Sequence, residues 1–102
     1  MSVSIIDVKR EVELAIKTIV FSNSTRYIMF KAVKIQRANP ILRNMNPSYI
    51  GRILNQVLRE YEEKGLVRIL GIKKNHVTKF YVRVNKSYSK YAERLEKEEV
   101  LA

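Results

Sequence analysis

The sequence has no cysteine, one histidine, two prolines and three glycines. Without cysteine it can form neither a disulfide nor a thiolate metal site. The one histidine, His76, is predicted to lie in a turn, so no metal cluster or histidine-based catalytic triad can be assembled around it. The glycines, at positions 51, 65 and 71, are isolated rather than grouped in a phosphate-binding loop. We therefore expect no catalytic residue, no metal and no cofactor.

Long apolar runs are also missing. No segment approaches the roughly 20 consecutive apolar residues that a membrane span requires. The first residues, MSVSIIDVKREVE, include acidic side chains and no continuous apolar core, unlike a signal peptide. The 102 residues, 46% of them hydrophobic, are enough for one domain with a single modest core. These features predict a soluble intracellular protein, cytoplasmic or associated with the nucleoid.

Acidic residues are absent from two long stretches of the chain. Twenty Lys and Arg against ten Asp and Glu give a formal net charge of +10. Residues 14–59 contain eight basic residues and no acid, and residues 64–90 contain eight more and again no acid. An ordinary solvated surface mixes the two signs, so these stretches predict a strongly positive face. Nucleic acid is the commonest intracellular polyanion and is therefore the expected partner of such a face. The alternatives are that the face binds an acidic protein, or that the charge only keeps the protein soluble.

Apolar spacing predicts two helices in the first part of the chain. Ser4 and Asp7 are spaced like a capping box and start a helix over about residues 5–21. The polar run 22–25 ends this helix and supplies the N-cap of a second one over residues 25–38, which Pro40 ends. The apolar positions of the second segment are crowded, and residues 27–30 could instead form a short strand.

The third predicted helix, residues 47–64, has the most regular pattern. Asn46 is placed to cap it, Pro47 occupies its first position, and Gly65 follows as a C-terminal stop. Its apolar residues fall within about 140° of arc at 100° per residue. They are Ile50, Ile53, Leu54, Val57, Leu58 and Tyr61.

Two β-like segments, residues 66–74 and 77–84, follow this helix. The segments pair in the same register whether they are joined by a two-residue turn, at Asn75 and His76, or by a four-residue loop. The predicted pairs are Val67 with Val84, Ile69 with Val82, Gly71 with Phe80 and Lys73 with Thr78, and they form one largely apolar face. The other face then carries Arg68, Lys74, Lys79 and Arg83.

A last helix is predicted over about residues 88–100, after Asn85 and Ser87. Its stripe of Tyr88, Tyr91 and Leu95 either packs back over the first helix or contacts a second copy of the chain. We favour the dimer, because the first and last helices together offer more apolar surface than a three-helix core requires. The acids of this helix alternate with Lys and Arg and are interpreted as a solvated face, not as a paired-carboxylate site.

Residues 49–54, YIGRIL, and 58–67, LREYEEKGLV, form a passage in which a helix ends at Gly-Leu-Val and a strand begins. With three helices before a hairpin, this passage resembles that of winged helix–turn–helix DNA-binding domains, of which small basic examples are common in archaea and their viruses. The resemblance implies an α+β fold in which residues 1–86 form the winged-helix domain. A two-stranded wing would span about 66–84, and an additional C-terminal helix would span 87–102.

The resemblance also implies that helix 47–64 lies in the major groove of double-stranded DNA, while the hairpin contacts the backbone or the minor groove. The residue types agree, since Arg can hold guanine and Asn or Gln can hold adenine. The candidate recognition residues are Ser48, Tyr49, Arg52, Asn55, Gln56 and Arg59. The candidate wing contacts are Lys73, Lys74, Asn75, His76 and Lys79. Further candidate phosphate contacts are Arg26, Lys31, Lys34, Arg37 and Arg43.

The predicted function is therefore sequence-specific binding of double-stranded DNA, as in a transcriptional regulator. A non-specific architectural protein of the nucleoid, or a module that binds RNA or a protein partner, are the alternatives. The same residues also have simpler explanations, namely a solvated helix face and lysines that block edge-to-edge pairing of strands. A homodimer would present two recognition helices to half-sites related by a two-fold axis. No small-molecule ligand is evident.

Overall fold

The computed structural model describes the backbone of residues 7–101 and the side chains of residues 7–95. Its elements are α1 (Val8–Ser22), β1 (Tyr27–Phe30), α2 (Ala32–Ala38), a 3-10 turn (Pro40–Leu42), α3 (Pro47–Glu63), β2 (Val67–Lys74), β3 (Thr78–Val84) and α4 (Tyr88–Leu101). The fold is α+β, with helices packed on one face of an antiparallel sheet ordered β1–β3–β2. Within this described part of the chain, no helix is long and apolar enough to cross a membrane.

The start of α1 is set by Asp7. Its side chain accepts a hydrogen bond from the backbone N–H of Arg10, which is otherwise one of the unsatisfied donors of a helix start. The described helix therefore begins at Val8. Residue 5, the predicted start, lies outside the described residues. Ser4, the other member of the predicted capping box, lies outside the described residues.

Residues 25–38 do not form the single helix that we predicted. Tyr27–Phe30 form β1, the alternative for this segment, and α2 begins only at Ala32. Ile28 and Phe30 are buried while Tyr27 is exposed, so the strand has the two-residue period of a half-buried edge. Aromatic and β-branched side chains favour such a surface. Because β1 pairs with β3, the sheet has three strands rather than the two of the predicted wing.

α3 matches its prediction at both ends. The Asn46 side chain accepts a hydrogen bond from the Ser48 N–H at 2.8 Å. After the C-cap Lys64, the Gly65 N–H donates to Glu62 O and the Leu66 N–H donates to Tyr61 O, which is a Schellman motif. Gly65 has a φ of 75°, a value that glycine adopts without strain. Its carbonyl accepts hydrogen bonds from Asn85 and Ser87, which ties the start of α4 to the end of α3.

The hairpin keeps the predicted register at its base and loses it at its tip. Val67 pairs with Val84 and Ile69 with Val82, as predicted. Beyond a β-bulge between Ile69 and Gly71, every pair is shifted by one residue. The shifted pairs are Gly71 with Tyr81, Ile72 with Phe80, Lys73 with Lys79 and Lys74 with Thr78. The loop therefore consists of three residues, 75–77, whereas we had considered only loops of two or four residues. Leu70 is the extra residue in β2 that compensates for the odd loop length.

The connector before α3 is held by buried amides. Gln36, at the end of α2, donates hydrogen bonds to the carbonyls of Leu42 and Met45. Asn39 donates to the backbone and side chain of Glu11 on α1. Buried side-chain amides rarely lack such partners, because an unpaired one would cost about 1–3 kcal/mol. These bonds fix where α3 starts relative to α1 and α2.

α4 packs back onto the domain, the first of the two alternatives for its apolar stripe. Tyr88 and Leu95 are only 1% and 5% exposed. The ring of Tyr88 makes edge contacts with Tyr61 of α3 and Phe21 of α1. Tyr91 is half-buried and contacts Tyr61 in the same way. Because Tyr88 and Leu95 are covered within the chain, they do not form an open surface. Association of two copies stays a prediction.

Candidate nucleic-acid interface

One stripe of α3 carries most of the candidate recognition residues. At 100° per residue, Ser48, Arg52, Asn55 and Arg59 lie within about 60° of one another. The opposite side of the helix is buried in the core, including Ile50, Leu54, Val57, Leu58 and Tyr61. The amphipathic pattern that fixes α3 in the core therefore also fixes the direction in which this stripe faces.

The stripe forms one wall of an open cleft of about 420 Å³ between α3 and the hairpin. Pro47 and Gly51 belong to the same wall. The other walls come from the hairpin and from the start of α2. Their lining residues are Ile72, Lys74, His76, Val77, Thr78 and Phe80 on the hairpin, with Ala32 and Val33 on α2. The cleft is thus the place where the predicted recognition helix and the predicted wing meet.

The cleft is positively charged and rich in hydrogen-bond donors. Arg52, Arg59 and Lys74 line it, and none of its lining residues is acidic. Arg59 Nε donates to Asn55 Oδ1 at 3.1 Å, one turn earlier on the helix. This bond holds the two side chains side by side. Among the described residues it is the only side-chain hydrogen bond recorded for either of them, so their remaining N–H groups can serve a ligand.

Gly51 leaves the helix backbone open at the cleft. A Cβ atom at this position would have no neighbour within 4 Å. Glycine within a helix costs roughly 0.5–1 kcal/mol relative to alanine, and no contact in the fold requires it here. The glycine therefore leaves space beside the α3 backbone at the cleft.

Two candidate residues of α3 lie outside the cleft. Tyr49 and Gln56 are exposed, but they are about a quarter turn around the helix from the stripe. Gln56 also hydrogen-bonds Glu60, whose pKa is lowered mainly by a hydrogen bond from Lys9. We therefore place Gln56 at the rim of the interface.

The β-bulge divides the candidate wing residues between two faces. Lys74 and His76 line the cleft. Lys73 and Lys79 are directly paired and lie on the opposite face of the sheet. We had placed Lys74 beside Lys79, which is wrong because the extra residue Leu70 reverses the alternation beyond it. Asn75 is exposed in the loop between the strands.

The other candidate phosphate contacts are scattered. Arg26 precedes β1 and Lys31 precedes α2, so neither is on the second helix as predicted. Lys34 Nζ donates to the carbonyl of Met29 at 2.8 Å, and burial lowers the pKa of its ammonium group. Arg37 and Arg43 are exposed. None of these five side chains lines the cleft.

The apolar floor of the cleft was not predicted. Phe80 is buried beneath it and Val77, in the loop, is 42% exposed. The sequence already placed Phe80 on the apolar face of the hairpin. It did not place Ile72 or Val77 there, because their positions depend on the shifted register and the three-residue loop. The shifted register could have been recognised from Ile72 and Phe80. Both are large apolar residues that favour the core, and the shifted register pairs them with each other.

Comparison with protein-family models, curated proteins and solved structures finds no match for this chain. Among the described residues, no group of three or more His, Asp or Glu could hold a metal ion. The functional inference therefore depends on the cleft and on the charge around it.

Proposed function

We propose that this chain is a winged-helix-like protein that binds double-stranded DNA through the cleft. α3 would enter the major groove with its exposed stripe, and the hairpin tip would contact the sugar–phosphate backbone or an adjacent minor groove. The observation that carries the proposal is the meeting of Arg52, Asn55 and Arg59 with Lys74 and His76 around one acid-free cleft.

The chemistry of the stripe favours contacts to base edges as well as to phosphates. Arginine pairs with guanine O6 and N7, and asparagine pairs with adenine N6 and N7. The Arg59–Asn55 hydrogen bond restricts both side chains before any ligand arrives, which lowers the entropic cost of ordering them on binding. For this reason we propose a sequence-specific regulator rather than a purely architectural protein.

The end of α3 limits how far DNA can lie along it. Glu60 is half-buried, and Glu62 and Glu63 are exposed in the last turn. Carboxylates there would repel phosphates. The contacts would therefore come from the first three turns of the helix, which contain Ser48, Arg52 and Asn55, and from Arg59 just beyond them.

Selection of bound sequences from a random duplex pool tests the proposal. A sequence-specific protein enriches a defined site, and the symmetry of that site reports whether one or two copies bind. Binding without enrichment would favour the architectural alternative. No binding to duplex DNA at low salt would overturn the proposal, and a preference for structured RNA in a competition assay would replace it.

Arg52→Ala sharpens this test. If Arg52 reads a base, the variant should lose about 1–3 kcal/mol of discrimination at one position of the selected site and keep it elsewhere. Arg43→Ala is the matched control, because Arg43 is also exposed but lies outside the cleft. The control should leave the preferred sequence unchanged. Equal, sequence-independent weakening in both variants would contradict a base-reading role.

A further inference from the structure

The face of the sheet that points away from the helices is not explained by the duplex site. Its side chains alternate with the core residues and form three rungs across the strands. The first rung is Tyr27–Arg83–Arg68, the second is Met29–Tyr81–Gly71, and the third is Lys79–Lys73. We call this surface the outer sheet face.

Two of these rungs place like charges directly opposite each other. Arg68 pairs with Arg83, and Lys73 pairs with Lys79. Such cross-strand pairs destabilise a sheet. None of the three strands contains an acidic residue, and the carboxylate of Glu62, beside β2, accepts its hydrogen bond from the backbone N–H of Ile69. A local arrangement that weakens the fold is typical of a binding surface, and here the complementary ligand is a polyanion.

Aromatic rings lie among these charges. Tyr27 is 62% exposed and Tyr81 is 36% exposed. They are diagonal neighbours on adjacent strands, a relation that separates residues by about 7–8 Å. Opposite Tyr81 stands Gly71, where even a Cβ atom would meet nothing within 4 Å, so the space beside the ring is open. Lys73 Nζ is 5.9 Å from the centre of the Tyr81 ring.

We propose that the outer sheet face binds single-stranded nucleic acid. Successive bases would stack on Tyr81 and Tyr27, while the phosphates would be held by the four cations of the flanking rungs. Stacking accepts any base because every base has a π-face, but only an unpaired strand can splay its bases onto a protein surface. An acidic peptide would interact with the four cations but would not stack on the two exposed tyrosine rings. A single strand of nucleic acid is therefore the better fit.

This surface is distinct from the cleft. The cleft uses Lys74 on the inner side of β2, whereas the outer sheet face uses Lys73, its neighbour in sequence. Single-strand binding can therefore be measured, and can fail, independently of duplex binding.

A tryptophan reporter tests where a single strand binds. The chain contains no tryptophan, so Tyr81→Trp introduces one fluorophore on the outer sheet face and keeps an aromatic ring for stacking. We expect oligothymidylate or oligouridylate to quench its emission, and the stronger of the two responses to show whether DNA or RNA is preferred. Tyr49→Trp, on α3, is the matched reporter and should not be quenched by either oligonucleotide.

Alanine and phenylalanine variants test the stacking itself. Tyr81→Ala should lower the affinity for the single strand by about 5- to 150-fold, the loss expected for one base–aromatic stack. Tyr81→Phe should keep the affinity within about two-fold, because the ring and not the hydroxyl makes the contact. Arg52→Ala, in the cleft, should leave single-strand affinity unchanged. Thermal unfolding of each variant establishes that it is folded at the assay temperature.

Three results would overturn the inference. The first is that the wild-type chain does not bind either oligonucleotide at low salt. The second is that Tyr81→Ala binds as tightly as the wild type, which would mean that charge alone attracts the strand. The third is quenching of the Tyr49→Trp reporter together with weakening by Arg52→Ala, which would place the single strand along α3 instead of on the outer sheet face.

Discussion

Glu13 joins three helices through one carboxyl group. It lies on α1 and accepts a hydrogen bond from the Tyr61 hydroxyl of α3 at 3.1 Å. It also accepts one from the Tyr91 hydroxyl of α4. Burial raises the pKa of Tyr61 well above its usual range. Its hydroxyl therefore stays protonated, and stays a donor, beyond the pH at which an ordinary tyrosine ionises.

The Tyr61–Glu13 hydrogen bond should contribute measurably to stability. Tyr61→Phe removes the donor but keeps the buried ring, so we expect the free energy of unfolding to fall by about 1–2 kcal/mol. Urea denaturation followed by circular dichroism measures this as a lower midpoint with an unchanged slope. Tyr27→Phe, which removes an exposed hydroxyl, is the control and should change the midpoint little. Equal midpoints for both variants would show that the buried bond is not stabilising.

At the scale of single elements, α3 could be predicted and β1 could not. α3 has a cap, a proline at its first position, a continuous apolar stripe and a glycine stop, and these local signals all agree. Residues 27–30 have no such agreement, because a helix and a strand both bury Ile28 and Phe30. Only pairing with β3, fifty or more residues later, decides for the strand. Such a non-local contact leaves no mark in the segment itself.

Substitution of Gly51 by alanine should stabilise the fold but weaken binding in the cleft. Gly51→Ala removes the conformational freedom of glycine from a helix and creates no clash, so the free energy of unfolding should rise by about 0.5–1 kcal/mol. Affinity for duplex DNA should fall, because the new methyl group projects where the ligand approaches. Denaturant unfolding and fluorescence anisotropy measure the two effects.

Gly65→Ala is the control for this substitution. Gly65 has a positive φ, so alanine there should lower the free energy of unfolding by about 1–2 kcal/mol instead of raising it. If Gly51→Ala raised stability and left duplex affinity unchanged, close approach of DNA to the α3 backbone would be excluded.

On the scale of the whole molecule, charge predicted a class of ligand but not the surfaces that would bind it. The acid-free stretches predicted a positive face, and the structure distributes their residues over at least two surfaces, the cleft and the outer sheet face. Helical spacing alone placed Arg52, Asn55 and Arg59 together. The division of Lys73 from Lys74 could not be predicted, because it depends on the length of a loop and the position of a bulge.

Salt dependence should separate these two lysines. If the cleft holds duplex DNA, log affinity should fall linearly with log salt concentration, and each phosphate contact contributes about 0.9 to the slope. Lys74→Ala should reduce the slope for duplex DNA by about that amount. Lys73→Ala removes the same charge from the neighbouring position and should leave the slope unchanged. Equal reductions would mean that net charge, not the cleft, governs duplex binding.

The β-bulge also bears on how this chain tolerates a change of length. Deletion of one residue from a strand normally turns every side chain beyond it to the opposite face. Leu70 is the exception here, since it has no cross-strand partner and is 51% exposed. Without it, Ile69 opposite Val82 and Gly71 opposite Tyr81 become consecutive pairs of a regular ladder. The loss of a single codon at position 70 would therefore leave both faces of the sheet as they are.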